Sequence, residues 1–252
     1  MENNYKLPAI TLSFWVMKIC ATTLGETAGD LLSMTLNIGY AVSSIILLSF
    51  FLFTFIIQLR TTTYRPIIYW AVILSTSTAG TTISDYMDRT LKLGYATGSL
   101  ILASLLVLTL IAWKITEKSL SVSDIKSLRA EMFYWTAILC SNTLGTALGD
   151  FLADNSGLGF SGGALLIGSL LLLIVAAYYF TRVSHVILFW LAFVLTRPFG
   201  ATFGDLLTKT SDKGGFGFGT VGSSAILFLI LVLMIALTIK KMKTSPVVES
   251  TT

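Results

Sequence analysis

Eight long apolar runs alternate with short polar breaks along the chain. They fall at about residues 9–33, 39–59, 66–88, 94–115, 131–153, 159–181, 186–208 and 217–240. About 20 apolar residues in a helix cross ~30 Å of hydrocarbon, so the pattern predicts an all-α integral membrane protein with eight transmembrane helices. The longest polar break, "EKSLSVSDIKSLRAE", divides the chain into halves. A single membrane domain, 1–252, is therefore expected, with a cytoplasmic linker at 117–130.

The runs repeat in pairs. Trp15, Trp70, Trp135 and Trp190 lie 55, 65 and 55 residues apart. Ten positions after each comes Gly25, Gly80, Gly145 or Gly200, and four further on Gly29, Ser84, Gly149 or Gly204. The next residue is Asp every time: Asp30, Asp85, Asp150 and Asp205. A Gly-aromatic pair opens the second run in three copies, at Gly39-Tyr40, Gly94-Tyr95 and Gly159-Phe160, and Gly217-Phe218 is the nearest equivalent in the fourth. A recurring column set at fixed offsets is the signature of a repeat architecture. The four repeats are placed at 9–60, 66–116, 131–182 and 186–243. Two helices per copy insert every copy in the same orientation, which puts a pseudo-symmetry axis along the membrane normal, unlike inverted-repeat transporters.

Composition agrees. The chain is 54% hydrophobic and 12% charged, with a mean hydropathy of +0.82, against roughly 25% charged in soluble domains. The net charge of +4 matters through its placement. Lys6, Arg60, Arg65, Lys114, Lys118, Lys126, Arg129, Arg182, Lys240, Lys241 and Lys243 lie at the termini and between repeats. Only Arg89, Lys92, Lys209 and Lys213 lie in the hairpin turns. By the positive-inside rule both termini face the cytoplasm. "MENNYKLP" has no basic stretch ahead of the first run, so the first helix is expected to act as its own insertion signal.

Small residues six, ten and fourteen positions after each Trp share one helix face, as in Ala21-Gly25-Gly29, and are expected to pack helices closely. The acids beside them are costly at membrane depth, about 2.5–3.5 kcal/mol each. The polar column reads Thr23-Glu26-Asp30, Thr78-Thr81-Asp85, Thr143-Thr146-Asp150 and Pro198-Ala201-Asp205. Two uses stay open: an outer vestibule or structural role, and a shared cation or proton site. Glu26, Asp30, Asp85, Asp150 and Asp205 count as buried acids, with Lys18 and Arg197 the buried bases, leaving three negative charges in excess. Lys18 is expected to snorkel from the Trp level, and Arg197, beside Pro198, either pairs with Asp205 or a neighbour or tunes the charge of the site. Asp88, Asp154 and Asp212 read as solvated turn residues.

Carboxylates and hydroxyls without histidine suit hard cations such as Mn²⁺ or Mg²⁺. On this reading the metal ligands are Asp30, Asp85, Asp150 and Asp205, with Glu26 as a fifth acid and Thr23, Thr78 and Thr143 along the path. Cys20 and Cys140 share a repeat position and could meet across a twofold axis, though buried membrane cysteine is usually apolar filler. The tryptophans read as interfacial anchors, with an organic-cation cage as the alternative. His185 reads as incidental. No phosphate loop, nucleophile elbow, CxxC or HExxH occurs, so enzyme chemistry is not supported.

With these columns in hand, the chain resembles a bacterial membrane-protein family defined by four tandem two-helix repeats of unknown function. The resemblance runs from about Trp15 to Lys240 and implies eight helices in a bacterial inner membrane. The expected function is a secondary transporter of a cation, with a divalent metal favoured and proton coupling. The alternatives are a channel or carrier for a small organic cation, or a non-transporting scaffold. The expected partners are the lipid bilayer, a small cation and protons. Nucleic acid is not expected, homo-oligomerisation stays open, and no cofactor is called for beyond a bound divalent cation.

Overall fold

A computed structural model of the chain describes residues 6–122, 125 and 127–244. Lys126 and residues 1–5, part of the charge and leader readings above, lie outside these. Eight α-helices carry the fold: α1 (Leu12–Asp30), α2 (Tyr40–Arg60), α3 (Pro66–Asp85), α4 (Tyr95–Glu117), α5 (Leu128–Asp150), α6 (Gly159–Phe180), α7 (His185–Thr208) and α8 (Gly219–Thr244). There is no strand among the described residues. Six helices, all except α1 and α5, are long and apolar enough to cross a membrane.

Local sequence sets the ends. The Thr11 hydroxyl accepts from the Phe14 N–H and that of Ser127 from the Ala130 N–H, side-chain caps for α1 and α5. Pro66 opens α3, where its missing N–H costs nothing. Gly39 and Gly94 precede α2 and α4 at φ 84° and 74°, a left-handed turn that explains the Gly of the Gly-aromatic column. Immediately after its Asp, each of α1, α3 and α5 widens into a π turn, at Leu31–Thr35, Tyr86–Thr90 and Phe151–Asn155. The fourth copy has a short 3₁₀ turn, Ser211–Lys213, instead.

The odd-numbered helices form a closed inner ring in which α1 touches α3, α3 touches α5, α5 touches α7, and α7 returns to α1. Each even-numbered helix packs mainly on the next repeat's inner helix: α2 on α3, α4 on α5, α6 on α7, and α8 on α1. The small stripes are the seams of that ring. A Cβ on Gly80 would lie 2.9 Å from the Thr143 backbone nitrogen on α5, and one on Gly200 2.9 Å from the Thr22 carbonyl carbon on α1. Gly25 faces Ser77 on α3 in the same way, and Gly145 faces Arg197 on α7. A methyl at any of these crossings would force the neighbouring helix to shift.

At one end of the ring the tryptophans pack into a layer with neighbouring tyrosines and phenylalanines rather than standing as peripheral anchors. Trp70, Trp135 and Trp190 are buried. Trp135 lies 5.1 Å from Tyr134 and 5.6 Å from Tyr69, while Trp190 lies 5.6 Å from Trp113, ring centre to ring centre. The Tyr69 and Tyr134 hydroxyls are hydrogen-bonded at 2.8 Å. Only Trp15 is half-exposed.

Candidate functional site

Side chains three, seven, eleven and fifteen positions after each Trp are spaced by four residues, and this spacing keeps them on one face of each inner helix. The site is built from these layers, reading from the Trp end to the Asp end.

The first layer holds Lys18, Ile73, Ile138 and Phe193, all buried. Lys18 does not snorkel. Its side chain is wholly enclosed, with Nζ 4.1 Å from the Phe193 ring centre and 3.5 Å from Asn142 Oδ1. Asn142 in turn donates to the Thr76 hydroxyl at 2.9 Å.

One turn on, Arg197 reaches across the ring from α7. Its Nη2 donates to Glu26 Oε2 at 2.9 Å, to the Thr146 hydroxyl at 2.6 Å and to the Thr81 hydroxyl. Thr81 and Thr146 also donate to Glu26 Oε2, at 3.3 and 3.4 Å. Arg197 therefore pairs with Glu26, not Asp205, and one carboxylate oxygen on α1 gathers groups from the other three inner helices. Thr81 and Thr146 occupy the Glu26 position of their own repeats, and Ala201, the fourth equivalent, contributes no polar group.

The last layer holds the four aspartates, in two bridged pairs. Lys209 Nζ lies 2.8 Å from Asp30 Oδ2 and 3.0 Å from Asp205 Oδ1. Arg89 joins Asp85 at 2.9 Å to Asp150 at 3.0 Å. The Arg89 guanidinium also faces Tyr95 and Tyr40, at 5.7 and 6.0 Å from their ring centres, so the Gly-aromatic column flanks this bridge. Among the described residues Lys209 lies over no aromatic ring in this way, and it stands at the mouth of the glycine-containing segment "KTSDKGGFGFG". Burial works against its charge, but Asp205 and Asp30 outweigh that and hold its pKa above the ordinary lysine range.

The carboxylates are not equivalent. Oxygens of Glu26, Asp30 and Asp205 lie within 4.8 Å of one another, and all three residues are buried. This triad draws on two helices and leaves Asp85 and Asp150 to Arg89. Hard-cation chemistry fits the triad: three anionic oxygens from a rigid helix pair could hold Mn²⁺ or Mg²⁺, with water filling the remaining positions. The expected set of four aspartate ligands is thus divided into two unlike halves.

Other expectations are corrected by the packing. The five acids face four bases, because Arg89 and Lys209 turn inward to join Lys18 and Arg197. Counted over these five acids and four bases, the excess is one rather than three. The signal was a base four residues after the Asp in copies two and four only, a spacing that places the two side chains together. The hydroxyls of Thr23, Thr78 and Thr143 make no hydrogen bond to a carboxylate among the described residues. They donate to the carbonyls of Ile19 at 2.9 Å, Leu74 at 3.2 Å and Leu139 at 2.9 Å, each on its own helix. Cys20 and Cys140 face the outer helices, toward Leu227 and Thr109 respectively, and do not approach each other. Asp88 is buried against Ser84 rather than solvated, whereas Asp154 and Asp212 are exposed. Glu131, at the Trp end, is buried and paired with Lys6 at 2.8 Å, with Gln58 alongside. His185 stacks on Tyr178 at 4.6 Å beside a cavity of about 570 Å³ lined by Trp15 and Phe189, which contains none of the carboxylates.

The family model described as Repeat of Unknown Function (DUF347) matches the chain four times, over residues 13–64, 68–119, 133–184 and 188–244. Neither a curated protein nor a solved structure matches the chain.

Proposed function

We propose, for a chain that belongs to the DUF347 repeat family, that it is a secondary transporter of a cation, with Mn²⁺ or Mg²⁺ favoured and proton coupling. On this reading the chain sits in a bacterial cytoplasmic membrane with both termini inside. All eight helices cross it, and the four repeats are arranged about an axis along the membrane normal. Supporting the membrane reading are six apolar helices of sufficient length. Of the four cations in the hairpin turns, two are already engaged by carboxylates, which sharpens the inside excess of positive charge.

One observation carries the transport reading. The Glu26–Asp30–Asp205 triad is buried and is already visited by a positive group, the tethered ammonium of Lys209. Such an arrangement suits exchange. An arriving divalent cation takes the carboxylates and Lys209, 21% exposed, swings toward the open mouth. When the cation leaves, Lys209 or protons restore the balance. Arg197 fixes Glu26 from below, so that the cation meets a preset oxygen. The Arg89 bridge, held between two tyrosines, stays in place and keeps the opposite half of the ring shut.

The competing reading is a static scaffold, favoured by the fact that every ring aspartate has a basic partner. Mn²⁺ flux into proteoliposomes, with and without an imposed pH gradient, separates the two. Flux that responds to the gradient and falls at least tenfold in Asp205→Asn supports exchange at the triad. Absence of flux in the wild type, or full flux in Asp205→Asn, overturns it.

A further inference from the structure

At the Trp end the outer helices bridge the seams of the inner ring unevenly. Eighteen residues after Tyr40, Tyr95 and Phe160 stand Gln58 on α2, Trp113 on α4 and Tyr178 on α6. Gln58 and Trp113 are each 1% exposed and reach beyond the helix they pack on. Gln58 meets Glu131 on α5 at 3.5 Å, and Trp113 meets Trp190 on α7 with 5.6 Å between ring centres. By the same rule Tyr178 would reach Trp15 on α1. It turns outward instead, 49% exposed, and stacks on His185. The cavity of about 570 Å³ between α6, α7 and α1 lies at this seam, with Tyr178 and the half-exposed Trp15 in its wall.

The cavity has a direction. It follows α7 from His185 to Thr196, about 16 Å of helix. Ile19, Leu171, Ile174, Phe189 and Ala192 line its length, and the hydroxyl at its deep end, on Thr196, is spent on the Phe193 carbonyl at 2.7 Å. Polar groups gather at the opposite rim, from His185, Ser121 and Tyr178. Leu12 and Tyr179 on its edge are 80% and 73% exposed, so it opens on the apolar outer surface of the bundle. Water needs two to four polar partners, which only the rim supplies, and a dry void forfeits dispersion contact along the whole wall. The rim also carries positive charge. Arg182, exposed in the short loop from α6 to α7, makes no ion pair among the described residues. We infer that this cavity binds an anionic membrane phospholipid, with one acyl chain along α7 and the phosphate at the level of Arg182 and His185. Basic pockets between membrane helices on the cytoplasmic side take anionic headgroups, and the Trp end is the cytoplasmic end of the proposed orientation. The inference rests on that membrane reading but not on the chain transporting anything.

The test uses the full chain, purified in detergent. Thermal unfolding is followed while phosphatidylglycerol or phosphatidylcholine with the same acyl chains is titrated into the micelles, and bound lipid is counted by native mass spectrometry. Phosphatidylglycerol is expected to raise Tm saturably, by roughly 3–6 °C at tenfold the apparent Kd, and to stay bound at one per chain. Phosphatidylcholine should need a several-fold higher concentration. Arg182→Gln should raise the half-saturating phosphatidylglycerol several-fold while leaving Tm in lipid-free detergent unchanged. Ala192→Phe, which sets a ring in the groove, should abolish the lipid-dependent shift; if that variant does not fold, Arg182→Gln alone decides. Equal protection by the two lipids overturns the inference. So does a lipid preference unchanged in Arg182→Gln or surviving in folded Ala192→Phe, or a lipid-free dimer in the mass spectrum. A chain that stays dissolved without detergent defeats the membrane reading itself, whereas one that needs detergent yet ignores phosphatidylglycerol defeats only the lipid site.

Discussion

Removing one member of the Glu26–Arg197 pair should cost far more than removing both. The two side chains meet at 2.9 Å with 4% and 0% of their side-chain surface exposed, so solvent cannot neutralise whichever charge is left. Breaking a buried pair from one side typically costs about 3–5 kcal/mol, whereas replacing both members with neutral groups of similar volume is often close to neutral. Glu26→Gln leaves the guanidinium with two threonine oxygens and the Ser77 carbonyl. Arg197→Met leaves the carboxylate with two hydroxyl donors at 3.3 and 3.4 Å. Each single variant is expected to lose about 3–5 kcal/mol. The double variant should lose less than either single, which requires it to recover at least about 3 kcal/mol of the summed loss, the upper end of couplings between contacting residues. The assay is denaturant unfolding of wild type, both singles and the double in one detergent, closing the cycle. Additivity within about 0.5 kcal/mol would mean the two groups do not share the dry contact described, and the layered account of the centre would fail with it.

Two more outcomes follow from the packing. Gly80→Ala should lower stability by about 1–3 kcal/mol, because the new methyl would meet the α5 backbone at 2.9 Å, whereas Gly222→Ala on α8, with nothing within 4 Å, should stay within about 0.5 kcal/mol; comparable Tm losses in both would show that the seams are not close-packed. Lys209→Met removes the tethered ammonium from the triad and should tighten Mn²⁺ binding at least about tenfold by titration calorimetry, since a differential of ~1.4 kcal/mol suffices; weaker or unchanged binding would mean that Lys209 does not compete for those carboxylates.

Much of the architecture was legible because the repeat is written in residues that each carry a local consequence. Asp30, Asp85 and Asp150 mark the ends of α1, α3 and α5, and Gly39 and Gly94 mark the turns that begin α2 and α4. What the pattern could not reveal is which helix lies beside which. Four near-identical faces fit a neighbour in the same repeat or the next one equally well, and packing selects the next. The same limit blurred the site. On a single helix Thr22 and Thr23 flank the direction of Glu26 almost symmetrically, so the column was read through Thr23, Thr78 and Thr143. The ring closes instead on Ser77, Asn142 and Arg197. Arg89 and Lys209 read as turn cations because the polar break begins there, and only the π turn in copy two and the continuing last turn of α7 in copy four direct them inward. Lys18 departs from expectation for a related reason: its nearness to Trp15 suggests an interface, but the aromatic layer at that level is interior.

The placement of α8 on α1, and of every outer helix on its successor, bears on biogenesis. Proteins are made from the amino end onward, so α1, among the more polar of the eight and the bearer of Lys18 and Glu26, waits with one flank bare until the last helix emerges. Arg197, the only counter-charge in contact with Glu26 among the described residues, is also made late. The first hairpin therefore leaves the ribosome as an unfinished wall, and any chain cut short before α7 keeps an uncovered acid and base that quality-control proteases could recognise.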